Sequence, residues 1–208
     1  MRSVKSIVSS EKYHHGHLHE ALLDEACKQV AKGGGLALNL SELARSTGVS
    51  QPAVYRHFAS KRALTISVAQ RGFEQLAKAL QQAAQPVQDD SFETIRAIAE
   101  AYVVFALENT ELVRLMFSLK ERVTEPALQN ISKAAAVPLF RIVETAKHRD
   151  GLRNQDVDRT VRIIWATIHG LAVLLMDEQL PFITDMPGEI SAHIEATART
   201  LHIGLFTQ

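Results

Sequence analysis

The chain has 208 residues, 46% of them apolar, with 23 basic and 23 acidic side chains and a formal net charge of zero. That is ample for the core of one large domain or two small ones, and the overall balance of charge argues against a non-specific nucleic-acid binder. One cysteine, Cys27, excludes an intramolecular disulfide, no apolar run approaches the roughly 18 residues of a membrane span, and no signal peptide precedes the first helix, so a reducing cytoplasm is the expected compartment.

Residues 1–12 are rich in Ser and Lys without periodicity and are expected to form a mobile arm. His14, His15, His17 and His19 follow. Four histidines invite a metal site, but two of them are adjacent, and no metal is assigned. Leu18, Leu22, Ala26 and Val30, at spacing four, predict a first helix over about 18–32. Cys27 lies on its inner stripe as a core residue, with a redox-sensing thiol as the alternative. Gly33-Gly34-Gly35 ends this helix. It follows a helix rather than a strand and has no Lys-Ser/Thr after it, so it is not a phosphate loop.

Asn39 with Glu42 has capping-box spacing and starts a second helix at Leu40. Gly48 suits the left-handed position past its end, and Val49 can tuck under the turn. Ser50 is a natural N-cap for a third helix reaching about Phe58, with Pro52 tolerated in its first turn. Val54 and Phe58 face inward at i and i+4, which leaves Gln51, Pro52, Ala53, Tyr55, Arg56 and His57 on the outer sides. Two short helices around a tight turn make a helix-turn-helix. The outer groups suit a DNA major groove: an amide for adenine, a guanidinium for guanine, small apolar groups for a thymine methyl, and Tyr, His and Lys for phosphates. Residues 1–75 hold ten Lys/Arg against six acids, a basic head on an otherwise acidic chain.

Lys61 opens a fourth helix, to about Ala84, with Leu64, Val68, Gly72, Leu76 and Leu80 on one stripe. At 1.5 Å per residue it is about 36 Å long and reaches into a second domain. Asp90 with Glu93 starts a fifth helix running from Ser91 to about Leu107. A short helix from Glu111 to Leu119 follows, then a seventh from about Glu125 to His148. An eighth, about Asp156 to Glu178, carries two apolar seams: Val161, Ile164, Ile168, Leu171 and Leu175, and beside them Trp165, His169, Ala172 and Met176. A ninth spans about Gly188 to Leu205. No strand pattern or fixed-period repeat appears. The expected architecture is all-α, with about nine helices, an N-terminal head over 1–60 and a helical domain over 61–208.

The run Gly48-Val49-Ser50-Gln51-Pro52-Ala53-Val54-Tyr55-Arg56-His57-Phe58, with Ser60, Lys61 and Leu64, closely resembles the DNA-binding segment of the tetracycline-repressor (TetR) family of bacterial transcriptional regulators. Tyr13-His14-His15-Gly16 and Ala21-Leu22-Leu23 are similar to the first-helix entry of one branch, although His17 and His19 replace its usual acidic cap and arginine. Trp165 and His169-Gly170 resemble that branch's C-terminal signature. The resemblance implies that Gln51, Pro52 and Ala53 meet base edges, with Ser41 as a further contact. It further implies that Tyr55, His57 and Lys61 hold phosphates and that Asn39 and Ser50 combine capping with backbone contacts, while Arg56 occupies a variable position. It also implies a homodimer through the last two helices on a palindromic double-stranded DNA operator, released by an unknown small-molecule effector, with no cofactor and no membrane.

Tyr102, Phe105, Met116, Phe117, Trp165 and His169 combine apolar bulk with a few polar tips and are candidates for an effector pocket, although such residues at helical spacing also suit plain core. An enzyme is not expected, since no metalloprotease, nucleophile-elbow or dinucleotide motif is present. The alternative to a ligand-released repressor is an activator, or a DNA-binding dimer governed by a protein.

Overall fold

The structure is a computed structural model that describes residues 7–120, 124–149, 151–153, 156–184, 186 and 188–206, with side chains from His17 onward apart from Arg149 and Thr184. The first six residues of the expected arm lie outside these. The described residues form α1 (Ile7–Gly33), α2 (Leu40–Ser46), α3 (Gln51–His57), α4 (Lys61–Ala84), α5 (Ser91–Glu108) and α6 (Thr110–Ser118), followed by α7 (Pro126–Ala134), α8 (Val137–Arg149), α9 (Val157–Met176), α10 (Pro181–Thr184) and α11 (Glu189–Leu205). Single 3-10 turns cover Gly35–Ala37 and Gln85–Val87. There is no strand among the described residues, and an isolated antiparallel bridge joins Leu152 to Phe206.

Three boundaries differ from expectation. The first helix begins at Ile7 rather than near residue 18, so the second half of the expected arm is helical. The predicted seventh helix is two, α7 and α8, with a turn at Ala135 and Ala136. Pro138 is the cause: it offers no N–H to the carbonyl of Ala134 and its ring would collide there, whereas in the first turn of a new helix both defects vanish. The short α10 has no periodicity to announce it. With these, the nine or so helices expected become eleven among the described residues.

The chain divides into two compact units, one of Met1–Arg71 with Glu111–Glu121, the other of Gly72–Thr110 with Arg122–Gln208. The division runs through α4 and assigns most of α6 to the first unit. In that unit Leu22, Ala26, Val30, Leu43, Val54, Phe58, Leu64 and Val68 are all under 4% exposed. Arg71 on α4 holds Glu20 and Asp24 on α1 together, and this guanidinium lowers the Glu20 carboxyl below its ordinary 4.5. Cys27 is half-buried, and burial pushes its thiol upward against the opposing charge of Arg71, which disfavours a reactive thiolate.

The glycine run has a packing role. Gly34 sits at φ +69° after α1, and a Cβ there would lie 2.6 Å from Glu111 Oε2; one on Gly35 would lie 2.7 Å from Leu115 Cδ1. A side chain at either position would have to displace the flexible end of an α6 side chain, and at Gly34 it would also have to take a backbone conformation that favours glycine.

In the second unit α5 is central, packed on α9 and α11, with α8 against both α5 and α9. Ile95, Ile98, Tyr102, Val103, Ile164, Ile168, Ala172, Ile194 and Ala198 form its core. By length and composition α9 could cross a membrane, with an 18-residue window of mean hydropathy 1.3, which corrects the expectation that no stretch approaches a span. Asp158, Arg159 and Arg162 crowd the first turns of this helix and leave the rest uncharged, so the charges mask the length of the apolar run.

Gly34→Ala is expected to destabilise the protein by about 1 kcal/mol or more, because at φ +69° and ψ −170° a side chain is strained and the added carbon also makes the Glu111 carboxylate move. Gly48→Ala, at φ +70° with nothing within 4 Å of the added carbon, should cost less in the same thermal-melt series. Arg71→Met removes a pair whose contribution is full above pH 4.5 and is lost as pH falls through the lowered Glu20 value. Its melting temperature should lie about 1–4 °C below the parent's at pH 7. Melts repeated toward pH 3 should bring the two curves together.

Candidate nucleic-acid interface

The turn between α2 and α3 is built by three local devices. Asn39 Oδ1 accepts from the N–H groups of Ser41 (3.0 Å) and Glu42 (3.2 Å), which caps α2 at the predicted residue. At the other end Val49 N–H donates to Ala44 O (2.9 Å) and Gly48 N–H to Arg45 O (3.3 Å), the paired bonds that close a helix around a left-handed residue. Ser50 then takes the N-cap position of α3, its carbonyl accepting from Ala53 N–H at 2.9 Å. Its hydroxyl makes no capping bond, so the expected capping by this side chain is absent and its oxygen remains for other partners.

Val54 and Phe58 are buried as the spacing requires, at 0% and 3% exposure. The opposite side carries Ser50, Gln51, Pro52, Tyr55 and Arg56, all exposed, with Ala53 and His57 at its edges half-buried. Asn39, Ser41 and Lys61 are exposed in the same unit. Lys61 Nζ donates a long bond of 3.4 Å to Leu36 O, and its remaining N–H bonds are not engaged by it. All ten residues expected to meet DNA thus belong to one compact unit, and eight of them are exposed.

His19, in the sequence only a departure at the first-helix entry, has a structural place here. Its ring lies 4.8 Å from Phe58 and edge-on to His57 at 6.0 Å, and its Nδ1 is 3.5 Å from Glu20 Oε1. An aromatic ring at this position props the end of α3 from below, and no local sequence signal pairs residues 19 and 57.

The six candidate pocket residues fall into two groups. Tyr102, buried to 2% exposure, shares a 2.8 Å hydrogen bond with His169 Nδ1 and meets Trp165 edge-on at 5.3 Å. Phe105, on the same α5, is half-buried. Met116, fully buried, and Phe117, half-buried, belong to α6 in the first unit. None of the six lines the cavity of about 480 Å³ in the second unit, a volume in the range of small-molecule sites. That cavity is bounded by the last turns of α4 (Ala77, Gln81, Ala84), by Gln85, Gln88 and Asp89, by the start of α5, and by Ala134, Val137, Pro138 and Arg141. Thr94 and Thr145 turn their hydroxyls to the carbonyls of Val87 and Arg141, so the guanidinium of Arg141, the carboxylate of Asp89 and the three glutamine amides are the remaining polar groups of its lining. Local periodicity could not have found it, since it exists only because the α7–α8 break faces the end of α4.

Comparison with known proteins agrees with this architecture along most of the chain. The family described as bacterial regulatory proteins, tetR family, matches residues 22–68, and the tetracyclin repressor-like C-terminal domain matches residues 95–201. The HTH-type transcriptional activator FasR of Mycolicibacterium smegmatis is 33% identical over 114 residues, which is 55% of this chain and 51% of that protein, so the matched segment spans about half the length of that relative. A solved structure of a protein of unknown function from Rhodococcus sp. RHA1 is 31% identical, superposes with a TM-score of 0.80, and the match covers 94% of this chain and 98% of that one. The TetR family transcriptional regulator PfmR from Thermus thermophilus, at 24% identity and a TM-score of 0.57 over 88% of this chain and 97% of its own, shares the fold. The chain belongs to the TetR family of bacterial transcriptional regulators and carries that family's helix-turn-helix DNA-binding domain at its N-terminal end.

Proposed function

We propose that this regulator acts in the cytoplasm as a homodimeric repressor that reads a palindromic operator through α3 and is released from it by a small molecule. The observation that carries this reading is the division of α3 into two faces: Val54 and Phe58 are spent on the core, while Gln51, Pro52, Tyr55 and Arg56 stand in solvent beside an uncommitted Ser50 hydroxyl. Such a helix can lie in a major groove without giving up any packing.

Dimerisation is supported by what α9 and α11 leave uncovered. Ile163 and Leu174 are 38% and 44% exposed, and between them Ala166, Thr167 and Gly170 make a narrow stripe; a Cβ on Gly170 would meet nothing within 4 Å. On α11, Ala196, Thr200 and Ile203 continue the pattern, with Ile203 58% exposed. This stripe is neither of the two seams expected from the sequence, most of whose residues are turned inward. Small and apolar residues on two neighbouring helices suit close two-fold packing into a four-helix bundle. Two copies of α3 could then meet successive major grooves if held about 34–36 Å apart.

For the effector, the cavity at the end of α4 is a better-supported location than the Tyr102 cluster, whose polar atoms already satisfy one another. A ligand there bears on Ala77, Gln81 and Ala84 of the same unbroken helix that begins at Lys61. It shifts DNA affinity only as far as it prefers one tilt of α4 over another. An activator reading is favoured by one observation, the naming of the M. smegmatis relative as an activator. In that reading the same site and dimer recruit rather than block, and the controlling partner could be a protein.

Selection from random duplex DNA by the purified protein at near-physiological salt is expected to enrich an inverted repeat; enrichment of isolated half-sites, or of nothing, would contradict the dimeric reading. Against the enriched duplex, Gln51→Ala should lose roughly 1–3 kcal/mol per half-site and relax one base position. Lys61→Ala should instead weaken binding to all duplexes alike and reduce the salt slope by about 1 for each phosphate released from the lysine, as read by fluorescence anisotropy across a salt series. Leu174→Glu should sediment as a monomer and bind the full repeat no more tightly than a half-site.

A further inference from the structure

Among the described residues of the DNA-binding head, one buried side-chain polar atom is left without a partner. Gln29 lies on the inner side of α1, 7% exposed, with Leu22, Ala26 and Val30 of the same helix buried around the same core. Its Oε1 accepts a 2.9 Å hydrogen bond from Asn39 N–H, whereas its Nε2 is buried with no partner among the described residues. Chemistry fixes this orientation of the amide, since exchanging oxygen and nitrogen would set two donors against each other. An apolar side chain of similar size would avoid the orphaned donor and add to the core. A buried carboxamide that spends one end at the expense of the other marks a place where the spent end matters.

That end closes the cap of α2 from outside. Asn39 uses its side-chain oxygen on Ser41 and Glu42, and in a capping box its own N–H would be taken by the side chain at position 42. Here Glu42 is turned instead toward Arg45, 3.9 Å away, and the N–H is taken by α1 across the Gly33–Gly35 turn. The first turn of α2 is thereby fastened to a different helix.

We propose that Gln29 is a positioning residue for DNA recognition: by accepting Asn39 N–H it pins the N-terminal turn of α2, with Ser41 and the α2–α3 turn behind it, in the geometry that α3 needs. The proposal rests on the reading of this head as the DNA-binding surface. The pin acts less on the stability of the fold than on how much order the duplex must impose when it binds.

Gln29→Leu and Gln29→Glu in the full chain test it. The leucine variant removes both the pin and the orphaned donor, so its melting temperature should equal or exceed the parent's. Its affinity for the selected inverted repeat should fall about 5- to 10-fold with unchanged affinity for a scrambled duplex and an unchanged salt slope. The glutamate variant keeps an acceptor beside the positive end of α2 and should stay within about twofold of the parent. Hydrogen exchange at the Asn39 amide should quicken in the leucine variant and not in the glutamate one. Parental affinity in Gln29→Leu overturns the proposal. So does a loss shared by both duplexes together with a lowered melting temperature, which would make Gln29 a purely structural residue, and so does unchanged exchange at Asn39. If the parent itself shows no preference for any duplex while Asn39 exchange still separates the variants, the pin stands and its role in recognition falls with the DNA-binding reading.

Discussion

A helix of seven residues has no stability of its own in water, because nucleation costs more than so few hydrogen bonds return. Both α2 and α3 have that length. The recognition surface therefore depends on tertiary support, and the architecture of the first unit is that support. Asn39 fixes where α2 begins and Gly48 where it stops, while Val54 and Phe58 anchor α3 into the core. The ring of His19 braces Phe58, and Arg71 ties α1 to α4 on either side. None of these contacts uses the exposed side of α3. They hold that side, with its amide and guanidinium, in one geometry.

The second unit solves a different problem with the same materials. Its central helix α5 is covered by α8, α9 and α11, and the polar atoms taken inside are paired: Tyr102 with His169, and Ser91 with His202 at 3.2 Å. Buried, satisfied polar pairs of this kind rigidify a core and help specify one packing arrangement. The open space lies at the end of α4, where a proline-forced break in the chain stops α7 and α8 from filling it. Rigidity and vacancy thus sit in separate parts of one unit, an arrangement compatible with a body that holds its shape while a cavity at one end is filled.

Much of this was legible in the sequence where the signal is local. The caps at Asn39 and Asp90, the turn at Gly48, the stripe Leu64–Val68–Leu76–Leu80 and the inward pair on α3 follow from spacing and backbone preference, and the structure has them. What was not legible is what depends on residues far apart. Pro138 interrupts an otherwise helical pattern, and the seventh helix expected across it is two. The attachment of α6 to the head, the His19 brace and the Gln29–Asn39 bond join segments that no periodicity relates. The lining of the cavity at the end of α4 likewise comes from segments far apart in sequence that no periodicity relates.

The fit of Gly34 and Gly35 against Glu111 and Leu115 also bears on how tolerance to substitution should be interpreted. A saturation screen scored by survival would mark these glycines as no less intolerant than Gln51, and a reader of such a map would be tempted to extend the DNA-binding surface to the end of α1. The intolerance has an opposite origin. At Gln51 it would concern what an exposed side chain is free to reach, and at Gly34 it concerns a backbone at φ +69° that side chains rarely adopt. Sensitivity alone therefore does not outline a DNA-facing surface, and two positions with equal scores can stand for an exposed side chain in one case and for backbone strain in the other.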